Sequence, residues 1–158
     1  MYFNNNLGGT YRHFNFEKTI SKLIMNNFKN DITCSIPSKF TKLAPFIIAY
    51  GFNDESGKSD KSAAIIPNII IERIEYMSNQ FSIVDCLQLS RGMQIAYEMR
   101  YKYFIPHGVA LQLLKIENVL NSCTERHLKL NNLTINDINC IMRAYNNRKC
   151  KTSSYNDL

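Results

Sequence analysis

From Val109 to His127 the apolar side chains recur as Val109, Leu113, Ile116, Leu120, Cys123 and His127, at spacings of 4, 3, 4, 3 and 4. That rhythm puts all six on one face of an α-helix; a half-buried strand would require strict alternation instead. Phe16, Ile20, Leu23 and Ile24 begin a similar face, and so do Ile135, Ile138, Met142 and Tyr145. No segment carries a strand pattern strong enough to compete. The chain therefore reads as all-α, with six helices over about 15–29, 38–52, 61–77, 82–102, 106–129 and 134–147. An N-terminal arm (1–14) precedes a single domain (15–147), and a polar tail (148–158) follows it. Pro106 stands where a first-turn proline is tolerated. Pro45 and Pro67 fall inside two of the helices and are expected to kink or restart them, because proline lacks the donor and clashes with the preceding turn.

Internal repetition narrows the architecture. Ser82-Ile83-Val84-Asp85 and Thr134-Ile135-Asn136-Asp137 share the form [ST]-I-x-D. In each, the hydroxyl can accept from an orphan backbone N–H at a helix start while the carboxylate sits at the positive end of the helix dipole. Further along stand Ala49-Tyr50, Ala96-Tyr97 and Ala144-Tyr145, whose tyrosines lie 47 and 48 residues apart. A period near 47 that holds two helices is the size of a helical-hairpin repeat. The expected fold is a right-handed α-solenoid-like array of about three hairpins, with an irregular helical bundle as the alternative. Tyr50, Tyr97 and Tyr145 should then occupy equivalent places, each behind an Ala that lets helices approach closely.

The stretch Leu133-Thr134-Ile135-Asn136-Asp137-Ile138-Asn139-Cys140-Ile141-Met142-Arg143-Ala144-Tyr145 resembles the second helix of repeats in organellar RAP-domain and FAST-kinase-like proteins. Phe81-Ser82-Ile83-Val84-Asp85 and Phe46-Ile47-Ile48-Ala49-Tyr50 are weaker echoes, and together the three span most of 38–147. The resemblance implies a repeat scaffold that binds organellar RNA, as some parts of mitochondrial ribosomes do. The nuclease-like module that usually closes such chains has no room here, so the resemblance implies no activity.

Composition is consistent with one folded domain: 158 residues, 45% hydrophobic and 20% charged. No run approaches the roughly 20 apolar residues of a membrane span. The five cysteines, Cys34, Cys86, Cys123, Cys140 and Cys150, are odd in number and form no C-x-x-C pair, which points to a reducing compartment. Glu17 is the first acid, an acid-poor start of the kind organelle transit peptides have, although Arg12 is the only Arg there. A mitochondrion or other organelle is the expected location, with the cytoplasm as alternative. The net charge of +6 divides into +4 over residues 1–52, −3 over 53–99 and +5 over 100–158.

Motifs of catalysis are absent. Gly51 and Gly57 are separated by five residues, one more than a phosphate-binding loop allows, and Asp54 and Glu55 would face the anion. His13 and His107 belong to no hydrolase or metalloprotease signature. Cys123 and His127 have the spacing of metal ligands on a helix, with Cys140 and Cys150 downstream. Because 123 and 127 continue the 109–120 face, they are read as core residues, with His127 hydrogen-bonded to a neighbour. No enzyme activity, cofactor, metal or small-molecule substrate is expected.

The basic residues of the last third supply the functional expectation. Arg100 and Lys102 close one expected helix, Arg126 the next, and Arg143, Arg148 and Lys149 the last. Aligned along one edge of a solenoid, these six would track the phosphate backbone of an RNA, expected to be ribosomal, in a larger ribonucleoprotein, with Tyr97, Tyr101, Tyr103 and Tyr145 placed to stack bases. Helix-end electrostatics would put the same charges there without RNA. The alternative is a scaffold or supernumerary subunit, of a respiratory assembly for example, that contacts only protein. A viral regulator of cell death is a third option, and the absence of Trp removes the Asn-Trp-Gly-Arg signature of that fold.

Overall fold

In a computed structural model of the chain, the structure describes residues 19–20, 22–50, 66–100, 105–130 and 133–156, with the backbone alone at 99–100 and 147–156. All regular structure among them is helical: α1 (helical at 22–27), α2 (Lys29–Thr33), α3 (Pro37–Tyr50), α4 (Asn68–Tyr76), α5 (Ile83–Ile95), α6 (His107–Leu128) and α7 (Ile135–Asn156). A 3-10 turn, Ser78–Gln80, joins α4 to α5, and α5 runs on into a π turn, Ala96–Arg100.

The two prolines act differently. Pro67 stands at a helix start, because α4 begins at Asn68 with Pro67 as its cap residue, while residues 61–65 of the expected helix lie outside the described residues. Pro45 is carried within a continuous α3. The first expected helix is broken at Phe28, whose carbonyl accepts from both Asp31 and Ile32 and so starts α2. The last expected helix runs past 147 to Asn156.

Both [ST]-I-x-D motifs close as reciprocal caps with matching geometry. The Ser82 hydroxyl accepts from the Asp85 N–H (3.1 Å) and Asp85 Oδ2 accepts from the Ser82 N–H (2.9 Å). Thr134 and Asp137 repeat this at 3.1 and 2.9 Å. Two orphan donors are satisfied at each helix start.

α5 lies at the centre, packed along α3 and along α7, which make no comparable contact with one another; α6 runs beside α4 and also reaches α5. Neighbouring helices are joined by contacts between residues 44 to 47 positions apart. The Thr41 hydroxyl donates to Asp85 Oδ1 (2.7 Å), and Gly92 lies against the backbone of Pro45. The Gln112 amide closes both backbone groups of Ile66, accepting from its N–H at 3.0 Å and donating to its carbonyl at 2.5 Å. The Cys123 thiol donates to the Ser78 carbonyl (3.0 Å). In both pairs the numbers rise together, so α3 and α5 run in the same direction, as do α4 and α6.

Ala49, Ala96 and Ala144 are all buried, whereas the tyrosines that follow them differ: Tyr97 is buried, Tyr50 half-buried and Tyr145 exposed. The cause is position in the row. At 100° per residue, Leu87, Ser90 and Gln94 lie opposite the Asp85–Gly92 side of α5. Leu87 and Ser90 are buried and Gln94 is half-buried. The residues 48 positions on in α7 are Ile135, Ile138 and Met142, and there the same arc is 71%, 41% and 53% exposed. α5 has a helix on each flank; among the described residues α7 has one on one flank only.

Two measurements follow. A Cβ at Gly92 would stand 2.7 Å from the Pro45 carbonyl oxygen and 2.8 Å from its Cα, both backbone atoms. Gly92→Ala should therefore destabilise the fold despite the roughly 1 kcal/mol gain in helix propensity, with a net loss of about 1–3 kcal/mol in urea unfolding. At the α7 cap, the hydrogen bond from the Thr134 N–H, then that from its hydroxyl side chain, hold the Asp137 carboxyl below the ordinary aspartate range. A lowered folded pKa gives stability that is present above about pH 4 and is lost as pH falls through the folded value. The stability difference between the parent and Asp137→Asn should accordingly shrink as pH drops below about 4.

Candidate functional site

Of the six expected RNA contacts, the structure describes the side chains of Arg126 and Arg143 alone, and the two are used differently. Arg126, near the end of α6, is turned inward: Nη1 donates to the Asn79 carbonyl and Nη2 to the Phe81 carbonyl (2.7 Å). His127 joins it, with Nε2 2.8 Å from the Phe81 carbonyl. A carbonyl only accepts, so Nε2 carries a proton and the 3.4 Å approach of Arg126 to the same nitrogen is not a hydrogen bond. With Cys123 on Ser78, three consecutive-turn residues of α6 hold the turn that leads into α5. Arg143 is exposed on α7. The backbone alone is described for Arg100, Arg148 and Lys149, and Lys102, Tyr101 and Tyr103 lie outside the described residues. Because α7 runs to Asn156, Arg143, Arg148 and Lys149 stand more than a turn from its end.

The expected core role of Cys123 fits its burial, and His127 is hydrogen-bonded though only half-buried. Gln112, Cys123, Arg126 and His127 share one task, which is to supply partners for backbone groups that the ends of α4 leave open.

The open surface feature is a groove of 460 Å³ between α3 and α5. Pro45, Phe46 and Ala49 on α3 face Val84, Gly92 and Ile95 on α5. Phe46 and Val84 are 48% and 57% exposed, so this lining is presented to solvent. Asp85 closes one end, its two oxygens committed to Thr41 and Ser82. Lys42 on one wall and Arg91 on the other are exposed, and among the described residues neither is paired with a carboxylate. Lys42, Gln88 and Arg91 fall outside the main apolar stripes; their trace in the sequence is Lys42-x-x-x-Phe46 and Val84-x-x-x-Gln88, each a mixed polar and apolar pair at one-turn spacing.

No protein-family model matches the chain, and neither a curated protein nor a solved structure matches it.

The inward role of Arg126 has a direct test. Arg126→Ala removes two charge-assisted bonds and leaves the half-buried Phe81 carbonyl with His127 alone, while the Asn79 carbonyl can rehydrate. Thermal or urea unfolding should show a loss of about 1–2 kcal/mol. A variant as stable as the parent would return Arg126 to the surface.

Proposed function

We propose that this chain is a non-catalytic helical-repeat scaffold, a solenoid of hairpins, whose open faces are covered by protein partners in a larger assembly. Same-direction packing of helices one period apart supports the solenoid: equivalent helices of stacked hairpins run in the same direction, whereas up-down bundle neighbours alternate. The observation that carries the functional reading is the last hairpin. Among the described residues, eight of the fourteen exposed large apolar side chains lie between Leu111 and Tyr145. Within them, Ile135, Ile138 and Met142 occupy the arc that α5 buries against α7. A patch of that kind marks a contact surface.

RNA binding along α7 is a second reading with one observation in its favour. Arg143, Arg148 and Lys149 are mid-helix, where the macrodipole, which acts only over the last turn, does not account for them. The internal use of Arg126 weighs against the full six-residue edge.

Purification from native cells separates the two readings. The scaffold reading expects protein partners that remain after ribonuclease treatment and are released by Ile138→Asp/Met142→Asp, with the variant's melting temperature unchanged. The RNA reading expects binding of a labelled single-stranded RNA that weakens with salt, with log affinity falling by about 0.7 per phosphate contacted for each tenfold rise. Arg143→Ala should flatten that slope by about one contact.

A further inference from the structure

The α3–α5 groove narrows the class of partner, and the inference rests on the protein-scaffold reading. From Ser38 to Tyr50 the α3 wall is about 18 Å long. Its 460 Å³ are spread along that length between two helix walls and are open to solvent, a shape that takes a row of side chains from an elongated ligand. Three turns of α-helix match its length.

The chemistry of the walls selects the row. The floor and apolar end, Pro45, Ala49, Gly92 and Ile95, carry no free polar group, and Phe46 and Val84 extend the apolar surface to the rim. Among the described residues the only carboxylate in the lining, Asp85, is buried and already accepts from Thr41 and from Ser82. The charge that the described residues present outward is positive on both sides, from Lys42 on α3 and Arg91 on α5. An apolar strip with a cation on each bank is complementary to a helix with an apolar stripe flanked by carboxylates, and repels one flanked by lysines.

We infer that this trough is the docking site for an amphipathic helix of a protein partner, with apolar residues at i, i+3 or i+4 and i+7 and acidic residues on either side. The Gly92–Pro45 contact fixes the separation of the walls, so the trough is formed before the ligand arrives.

The test uses the full chain and a display library of 14-residue helical peptides. Stripe positions are randomised among Leu, Ile, Phe and Ala, and flank positions among Asp, Glu, Lys, Arg and Ser. Selection should enrich clones with Asp or Glu at the flanks. A fluorescein-labelled peptide of that sequence should bind in anisotropy titrations, and nuclear magnetic resonance shifts should cluster on Phe46, Val84 and Ile95. Lys42→Glu/Arg91→Glu should weaken it at least tenfold and turn the preference toward the Lys-flanked counterpart. Val84→Asp, at a position already exposed, should abolish binding while the circular-dichroism melt stays that of the parent. Three results overturn the proposal: no enrichment over a blank surface, enrichment indifferent to flank charge, or shifts that map to Ile138 and Met142. The last of these leaves the scaffold reading standing, whereas loss of both this site and the α7-dependent partners removes both.

Discussion

The seam between α3 and α5 is the constraint on which the other contacts depend. Gly92 meets the backbone of Pro45, and a few residues toward the N-terminal end the Asp85 carboxylate takes a hydrogen bond from Thr41. The same carboxylate caps its own helix through the Ser82 N–H. One side chain thus fixes where α5 begins and how it is set against α3. Burying a carboxylate is costly unless its lone pairs are filled, and here both oxygens are. Once the seam is set, the opposite side of α5 is placed to receive α7, and the groove above the seam has its width.

The second row is held by different means. α4 is short, and its flanking segments carry backbone groups that no helix satisfies. Side chains from α6 supply the partners: Gln112 at Ile66, Cys123 at Ser78, and Arg126 with His127 at the 79–81 carbonyls. Arg73 extends the scheme backward, donating to the Cys34 carbonyl at 2.6 Å while its guanidinium lies 4.9 Å from the Tyr76 ring centre. α6 is thereby tied to the segments flanking α4, and α4 to the Cys34 carbonyl, largely through main-chain acceptors.

The helical class, the two capped starts and the spacing near 47 were legible in the residues, because capping and 3.6-residue periodicity are local and leave a direct trace, whereas the break at Phe28 was not. The burial of Ala49, Ala96 and Ala144 followed from the same period. The expected equivalence of the three tyrosines does not hold: Tyr97 lies in the π turn beyond α5 whereas Tyr145 stands in mid-α7, and their burial differs with the presence of a flanking helix. The stripe from Ile135 to Tyr145 shows the same limit: periodicity identifies a face, and only packing says what covers it. Arg126 was read from its helix-end position as a surface cation, whereas its partners are backbone carbonyls 45 and 47 residues away, which no side-chain pattern announces. The groove left only a faint trace for a related reason, being made by two helices whose separation is set by a glycine.

The hold of α6 on the 78–81 turn also distributes mutational freedom unevenly along the chain. Its donors are side chains, so the identities of Cys123, Arg126 and His127 matter. Its acceptors are peptide carbonyls, which every residue type possesses. Asn79 in particular, exposed and recognised only through its main chain, is free to drift as long as the backbone keeps its path. Homologous chains of this fold should therefore look dissimilar at one partner of each tie and constrained at the other, so sequence similarity between them will understate how much of the structure they share.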